Sequence, residues 1–332
     1  MGDVAMTVPV VRAFVSQYPQ HKITVVSRPF FKPFFDAIPN VTFCSIDVTK
    51  KHKGFIGLFR LFLELRKLKI DFIVDLHNVL RSKIIRAFFF FTNTKIAATD
   101  KGRAEKKALT RIQNKIFKPL TPIIKRHQMT FEKLGFPIDL SEPIFPKKAI
   151  LNPNIEAISS IKTQKWIGIA PFAQYQSKVY PLDLMQNVIA ELAQLNDVKL
   201  FLFGGGKKEI DILEQFQKEH KNVVNCAGKL KFNEELDLIS NLDVMLSMDS
   251  GNAHIAAMLG ISVVTLWGAT HPFAGFQPFH QPDDNCLTVD RTKFPNIPTS
   301  IYGNKVIPGY ENAMQTIEVE KIVAKLKSII SV

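Results

Sequence analysis

Val244–Thr270, reading VMLSMDSGNAHIAAMLGISVVTLWGAT, parses as strand, helix, strand. Val244–Met248 is a short apolar run of the kind buried in a parallel sheet. Asp249 and Ser250 are both good N-cap residues, and Gly251 allows close backbone approach. Ala253, Ala256, Ala257 and Gly260 recur at i, i+3, i+4 and i+7, so one helix face can lie tight on a sheet. Gly260 is a natural stop, and Val263–Trp267 is the next buried strand. The turn at Asp249–Asn252 then sits at the carboxyl end of a strand with helix N–H groups pointing outward. Open α/β sheets bind ligands there, and an anion such as a diphosphate is favoured. His254 lies one turn beyond Ser250. Taken locally, Asp249 can be a plain cap and His254 a satisfied core histidine.

The whole string carries more. DSGNAHIAAMLGISVVTLWGAT resembles the signature of the family 9 glycosyltransferases, the lipopolysaccharide heptosyltransferase family. That pattern is an Asp-(Ser/Thr)-Gly turn, a His three residues later, a small-residue helix and a strand ending Gly-x-Thr. The resemblance implies that Asp249, Ser250, Gly251 and His254 hold the diphosphate of a nucleotide-sugar donor.

Composition sets the class. The 332 residues suffice for two domains, and 46% hydrophobic content supports real cores. No apolar run approaches the roughly 20 residues of a membrane span, and no secretory signal opens the chain, so a cytoplasmic protein is expected. Cys44, Cys226 and Cys286 are widely spaced, which argues against a disulfide framework or structural zinc. Residues 1–150 hold 27 Lys and Arg against 11 Asp and Glu, whereas 151–332 hold 16 against 19. A basic first half suits a phosphorylated acceptor or an anionic membrane surface. No aromatic stacking platform or reader motif points to nucleic acid.

Along the chain, Val4, Val8, Val11 and Val15 predict a helix reaching about Tyr18, and Lys22–Ser27 and Val41–Ile46 read as strands. Phe55–Lys67 is an amphipathic helix expected to pack on a sheet, with interfacial membrane contact as the alternative. Asp71–Leu76 is a strand, and the Phe88–Phe91 run reads as a buried helix end or an exposed apolar patch. From Lys95 to Lys133 the chain is basic, with Lys107, Arg111 and Lys115 spaced for one like-charged helix face. Residues 147–164 read as the interdomain linker. The strand Trp166–Ala170 opens the second half, and Lys199–Phe203 is a strand ending in Gly204-Gly205-Gly206, which is no GxGxxG. Val319–Ile330 is a closing helix expected to pack back on the first domain.

The family resemblance extends to further segments. Gly2-Asp3, an apolar run and Pro9 are similar to the family's first-helix opening, and the resemblance implies that Asp3 is the general base. The strand ending Asp75-Leu76-His77 and continuing to Arg81-Ser82 resembles a family segment, which implies that His77 and Arg81 lie on the acceptor side; Lys101, Arg103 and Lys107 of the basic stretch are read from their charge as further acceptor cations. Lys178, two residues before Tyr180-Pro181, resembles the family's Lys-x-Trp-Pro, in which the Lys pairs with donor phosphates. Tyr180 departs from the usual Trp. Gly204, Gly205, Glu209, Lys229 and Leu230 are assigned to the nucleotide.

The expected fold is therefore α/β with GT-B architecture. Two Rossmann-like domains, 1–150 for the acceptor and 151–332 for the donor with its closing helix, would face each other across a cleft. The expected reaction is inverting, metal-independent transfer of a heptose-like sugar from a nucleotide diphosphate sugar, ADP-heptose by preference, to a lipopolysaccharide core acceptor linked to lipid A. No cofactor is implied, and a monomer at the inner face of the cytoplasmic membrane is expected. A GT-B-fold sugar-nucleotide epimerase and a non-catalytic basic module on an anionic membrane surface are the alternatives. A Rossmann-like half begins with a strand, and none precedes Gly2-Asp3. A first strand is therefore expected to be missing, with a slot between Lys22–Ser27 and Asp71–Leu76.

Overall fold

The computed structural model describes residues 1–160, 162–305 and 307–331. Contacts divide the chain into two compact units. One comprises Asp3–Gly102 and Thr121–Ile144; the other comprises Arg103–Leu120 and the chain from Phe145 onward.

In the first unit, α1 (Gly2–Ala5) and α2 (Val8–Gln17) precede β1 (Ile23–Ser27) and β2 (Val41–Ser45). Next come α3 (Gly54–Arg66), β3 (Phe72–Asp75), α4 (Leu80–Phe89), β4 (Lys95–Ala98) and, later in the chain, α6 (Ile123–Glu132). The expected single helix from Val4 is broken at Met6-Thr7. Pro9 has no N–H to give the preceding turn, and Thr7 Oγ1 takes the Val4 carbonyl at 2.7 Å. Helix α2 buries Val8, Val10, Val11, Phe14 and Val15, and Phe14 stacks 5.0 Å from Phe131 of α6. The strands form two separate parallel pairs, β1 with β2 and β3 with β4, so β1 and β3 each hydrogen-bond to one neighbour. Most of their residues are only half-buried, unlike strands inside a covered parallel sheet. Of the four phenylalanines, Phe89 is buried, whereas Phe90 and Phe91 are exposed.

The second unit begins with α5 (Arg103–Thr110), outside the single boundary at 150 expected from sequence. Leu109 and Leu120 are buried with Ala274, and Lys115 Nζ donates to the Leu109 and Pro298 carbonyls at 2.7 and 2.8 Å. These contacts hold 103–120 in this unit. Because α5 stops at Thr110, Lys107, Arg111 and Lys115 do not share a helix face; Lys115 serves as an internal tie. The expected linker also contains structure. Asn152 caps α7 (Pro153–Ser159), its side chain accepting from Ile155 N at 3.1 Å, with Pro153 in the first turn. Ala149 is tied to Ser240 and Asn241.

There follow β5 (Lys165–Ala170), α8 (Leu182–Ala193), β6 (Val198–Leu202), α9 (Lys207–Lys218), β7 (Val223–Asn225) and α10 (Phe232–Ile239). β8 (Val244–Met248), α11 (Gly251–Met258), β9 (Ser262–Trp267), β10 (Cys286–Thr288) and α12 (Val319–Ile330) complete the unit. The six strands form one parallel sheet in the order β10-β9-β8-β5-β6-β7. β8 is buried throughout and pairs Val244 with Ser262 on one side and with Ile167 on the other. Gly260 takes φ +84° after α11, and a side chain there would strike the Phe145 ring, so two constraints demand glycine. The closing helix buries Ile322, Val323, Leu326 and Ile330 in this unit's core beside α8.

Candidate active site

The strand order reverses between β5 and β8: chain order runs outward from β5 through β6 to β7, and from β8 through β9 to β10. Such a switch point opens a crevice at the carboxyl ends of its strands. The segment after β5 carries Lys178 and the turn after β8 carries Asp249. Lys178 Nζ lies 2.9 Å from Asp249 Oδ2, with the two side chains 12% and 9% exposed. The same carboxylate oxygen accepts from Thr270 Oγ1 at 2.8 Å. Asp249 is thus the counter-ion of Lys178 rather than a helix cap. Ser250 occupies the N-cap position of α11 in extended backbone, but its hydroxyl meets Ser247 Oγ at 3.1 Å and makes no side-chain cap. The first turn, Gly251–Ala253, therefore keeps its N–H groups uncapped by Ser250 at the positive end of the helix dipole. His254 is buried one turn further on.

The lysine is held from behind as well. Ser177 O accepts from Ala269 N at 3.0 Å, and Ser177 Oγ donates to Gly303 O at 2.5 Å. Gly303, at φ +84°, lies against the Lys178 stem so closely that a Cβ would come 2.5 Å from its Cδ. Tyr180, in the place of the expected Trp, is fully buried, and its hydroxyl donates to Ile317 O at 2.6 Å. Nothing local marks Ser177 or Gly303, because the bond that joins them spans 126 residues. Thr270 closes the Val244–Thr270 run, where no local pattern shows that it bonds Asp249.

The other nucleotide-side candidates separate into two loops. Glu209 accepts from Gly205 N at 2.7 Å, so its carboxylate is engaged in shaping the Gly204–Gly206 turn. A Cβ on Gly204 would meet Glu209, Leu213 and Phe172. Lys229, exposed, and Leu230, half-buried, follow Gly228, which takes φ +73°.

In the first unit, Asp3 is exposed in the first turn of α1, and its charge acts on both His77 and His127. The turn carrying His77 off β3 is built by Asp75, whose Oδ1 accepts from His77 N at 3.1 Å and Asn78 N at 2.7 Å. Arg86 anchors that carboxylate, Nε to Oδ2 at 3.0 Å, and reaches Asn78 Oδ1 at 3.1 Å. Arg81 is exposed on α4, and Lys101 bears electrostatically on His77. His127, unremarked in the sequence, is 2% exposed, and burial pushes its pKa down to about 4, which leaves it neutral at pH 7. Arg103 and Lys107 are exposed on α5 and belong to the second unit, not with Lys101.

The profile of glycosyltransferase family 9 (heptosyltransferase) matches residues 58–300, which include His77, Lys178 and the 249–254 turn. The chain belongs to glycosyltransferase family 9. It is accordingly a glycosyltransferase, and the epimerase and non-catalytic alternatives fall away. Asp3 lies outside the matched span. Among curated relatives, the lipopolysaccharide core heptosyltransferase OpsX of Haemophilus influenzae is 25% identical over 99% of this chain and 94% of its own length. Among solved structures, a family 9 glycosyltransferase from Veillonella parvula superposes with a TM-score of 0.75 at 16% identity, over 100% of this chain and 94% of that one. The E. coli heptosyltransferase WaaC with ADP gives a TM-score of 0.67 at 15% identity, over 99% and 97%. The fold of this family 9 chain is the GT-B architecture.

Proposed function

We propose that this family 9 enzyme transfers a heptose from ADP-heptose to a lipopolysaccharide core acceptor linked to lipid A, with inversion and without a metal. The observation that carries the reading is the cation at the switch point: Lys178 held between Asp249 and Gly303 beside the uncapped start of α11. An ammonium has three protons, and Asp249 engages one of them. The others, with the Gly251–Ala253 N–H groups, suit two oxygens of a departing diphosphate. The WaaC structure, which has the same fold, contains ADP, and this supports the adenine nucleotide. Gly204, Gly205, Glu209, Lys229 and Leu230 are assigned to the nucleoside portion.

Asp3 would accept the proton of the acceptor hydroxyl as its oxygen bonds to the anomeric carbon. The bond from that carbon to the diphosphate breaks, and ADP leaves as the anion. His77, Arg81, Lys101, Arg103 and Lys107 would meet the phosphorylated acceptor, and the enzyme would work as a cytoplasmic monomer in peripheral contact with an anionic membrane. No described helix is long and apolar enough to cross one. Calorimetry with ADP, UDP, GDP and CMP tests the donor assignment. ADP should bind to wild type and lose roughly 1.5–3 kcal/mol in Lys178→Ala, the range of a charged hydrogen bond. Equal affinity in the two proteins would remove the site.

A further inference from the structure

Helix α3 is apolar on two sides. Leu58, Leu61, Phe62 and Leu65 enter the core, whereas Phe55, Ile56, Phe59 and Leu63 form an outward stripe, with Ile56 80% exposed. Helices α3 and α4 meet at Phe88, whose ring lies 5.4 Å from both Phe55 and Phe59. Just beyond it, Phe90 and Phe91 are 76% and 89% exposed. They line an open hollow of about 410 Å³ together with Lys83, Arg86, Ala87 and Ile96. Single exposed apolar residues are ordinary, but a cluster of large ones marks a surface that binds something.

Charge identifies the partner. Residues 50–95 contain 11 Lys and Arg against three acids. Two of those acids are already paired, Glu64 with Lys51 and Asp75 with Arg86. Exposed Lys53 and Arg60 are close in sequence to Phe55 and Phe59, and exposed Lys83 lines the hollow with Phe90 and Phe91. A second copy of the chain would bring the same excess of cations against this face. A bilayer of anionic phospholipid supplies both an apolar interior for the rings and phosphates for the cations, whose flexible stems can reach the headgroups.

We propose that the outer face of α3 and the C-terminal end of α4 dock on an anionic phospholipid bilayer. Phe55, Ile56, Phe59, Phe90 and Phe91 enter the acyl boundary, and Lys53, Arg60 and Lys83 lie on the headgroups. This deepens the peripheral-contact part of the proposed function and uses none of its chemistry.

Co-sedimentation of the full chain with vesicles tests it, comparing phosphatidylcholine alone with phosphatidylcholine containing one quarter phosphatidylglycerol. Wild type should bind the mixed vesicles at least about tenfold more strongly. Phe90→Ser/Phe91→Ser and Arg60→Glu/Lys83→Glu should each lower that binding about tenfold. Ile150→Ser removes a 95% exposed apolar residue elsewhere and should change nothing. Thermal melts establish that each variant is folded, and the charge pair stands independently of the aromatic pair. Equal binding to neutral and anionic vesicles overturns the proposal. So does undiminished binding by the charge variant, or a dimer in solution that the aromatic variant splits while vesicle binding is absent. No donor or acceptor is present in the assay, so a negative result leaves the transferase reading standing.

Discussion

Lys178 Nζ and Asp249 Oδ2 are 2.9 Å apart, and Thr270 donates to that same oxygen at 2.8 Å. The carboxylate is thereby fixed on two sides, and the direction of the ammonium depends on a hydroxyl 21 residues further along the chain. Thr270→Val keeps the shape and removes the donor. It should weaken ADP binding by about 1 kcal/mol, the net worth of one hydrogen bond, and Thr270→Ser should restore it. Calorimetry giving equal losses for Val and Ser would mean that Thr270 acts through packing.

Gly303→Ala would drive a methyl group into the Lys178 stem. Gly309 has nearly the same backbone, φ +85°, and a Cβ there would meet nothing within 4 Å, so Gly309→Ala carries the conformational cost alone. Gly309→Ala should lower stability by about 1–2 kcal/mol in denaturant melts, and Gly303→Ala by at least as much. Only Gly303→Ala should reduce ADP affinity, by about tenfold on the same scale.

Asp3→Asn should leave ADP binding intact and lower heptosyl turnover by about 10²–10⁴, the usual worth of a positioned general base. A rate near wild type in an ADP-release assay would take Asp3 out of the mechanism.

Charge reversal at Lys101, Arg103 or Lys107 should raise the acceptor KM and spare the donor KM. Lys115→Met is a contrast within the same basic stretch, because that ammonium ties the Leu109 and Pro298 carbonyls. It should cost stability, roughly 1–3 kcal/mol in a urea melt, with the acceptor KM unchanged. The reverse pattern would return Lys115 to the acceptor surface.

His127 predicts a pH effect. Its folded pKa of about 4 lies below the ordinary 6.5, so the unfolded chain binds more protons between those values. The stability contribution is complete above pH 6.5 and is lost as pH falls through 4, with a total of about 3 kcal/mol. Denaturant melts of wild type and His127→Gln should diverge in slope across that window. Parallel curves would show that the imidazole titrates normally.

The sequence alone determined what depends on neighbours in the chain. The run from Val244 to Trp267 announced strand, small-residue helix and strand, since burial on both faces demands apolar runs and close helix-to-sheet packing demands alanine and glycine. The family was legible in the same stretch, and the closing helix was legible in its own segment, Val319–Ile330. Asn152-Pro153 is also a readable helix start, inside the segment that composition marks as a linker. Tertiary structure decided the rest. A capping residue and a counter-ion look identical in sequence, so Asp249 became the partner of Lys178 only when β5 and β8 were laid side by side. Residues 103–120 joined the second unit because Leu109 and Lys115 found partners near Ala274 and Pro298, contacts no local pattern encodes. The lysine's rear support came from Gly303, more than a hundred positions away, because a parallel sheet brings the ends of distant strands to one edge.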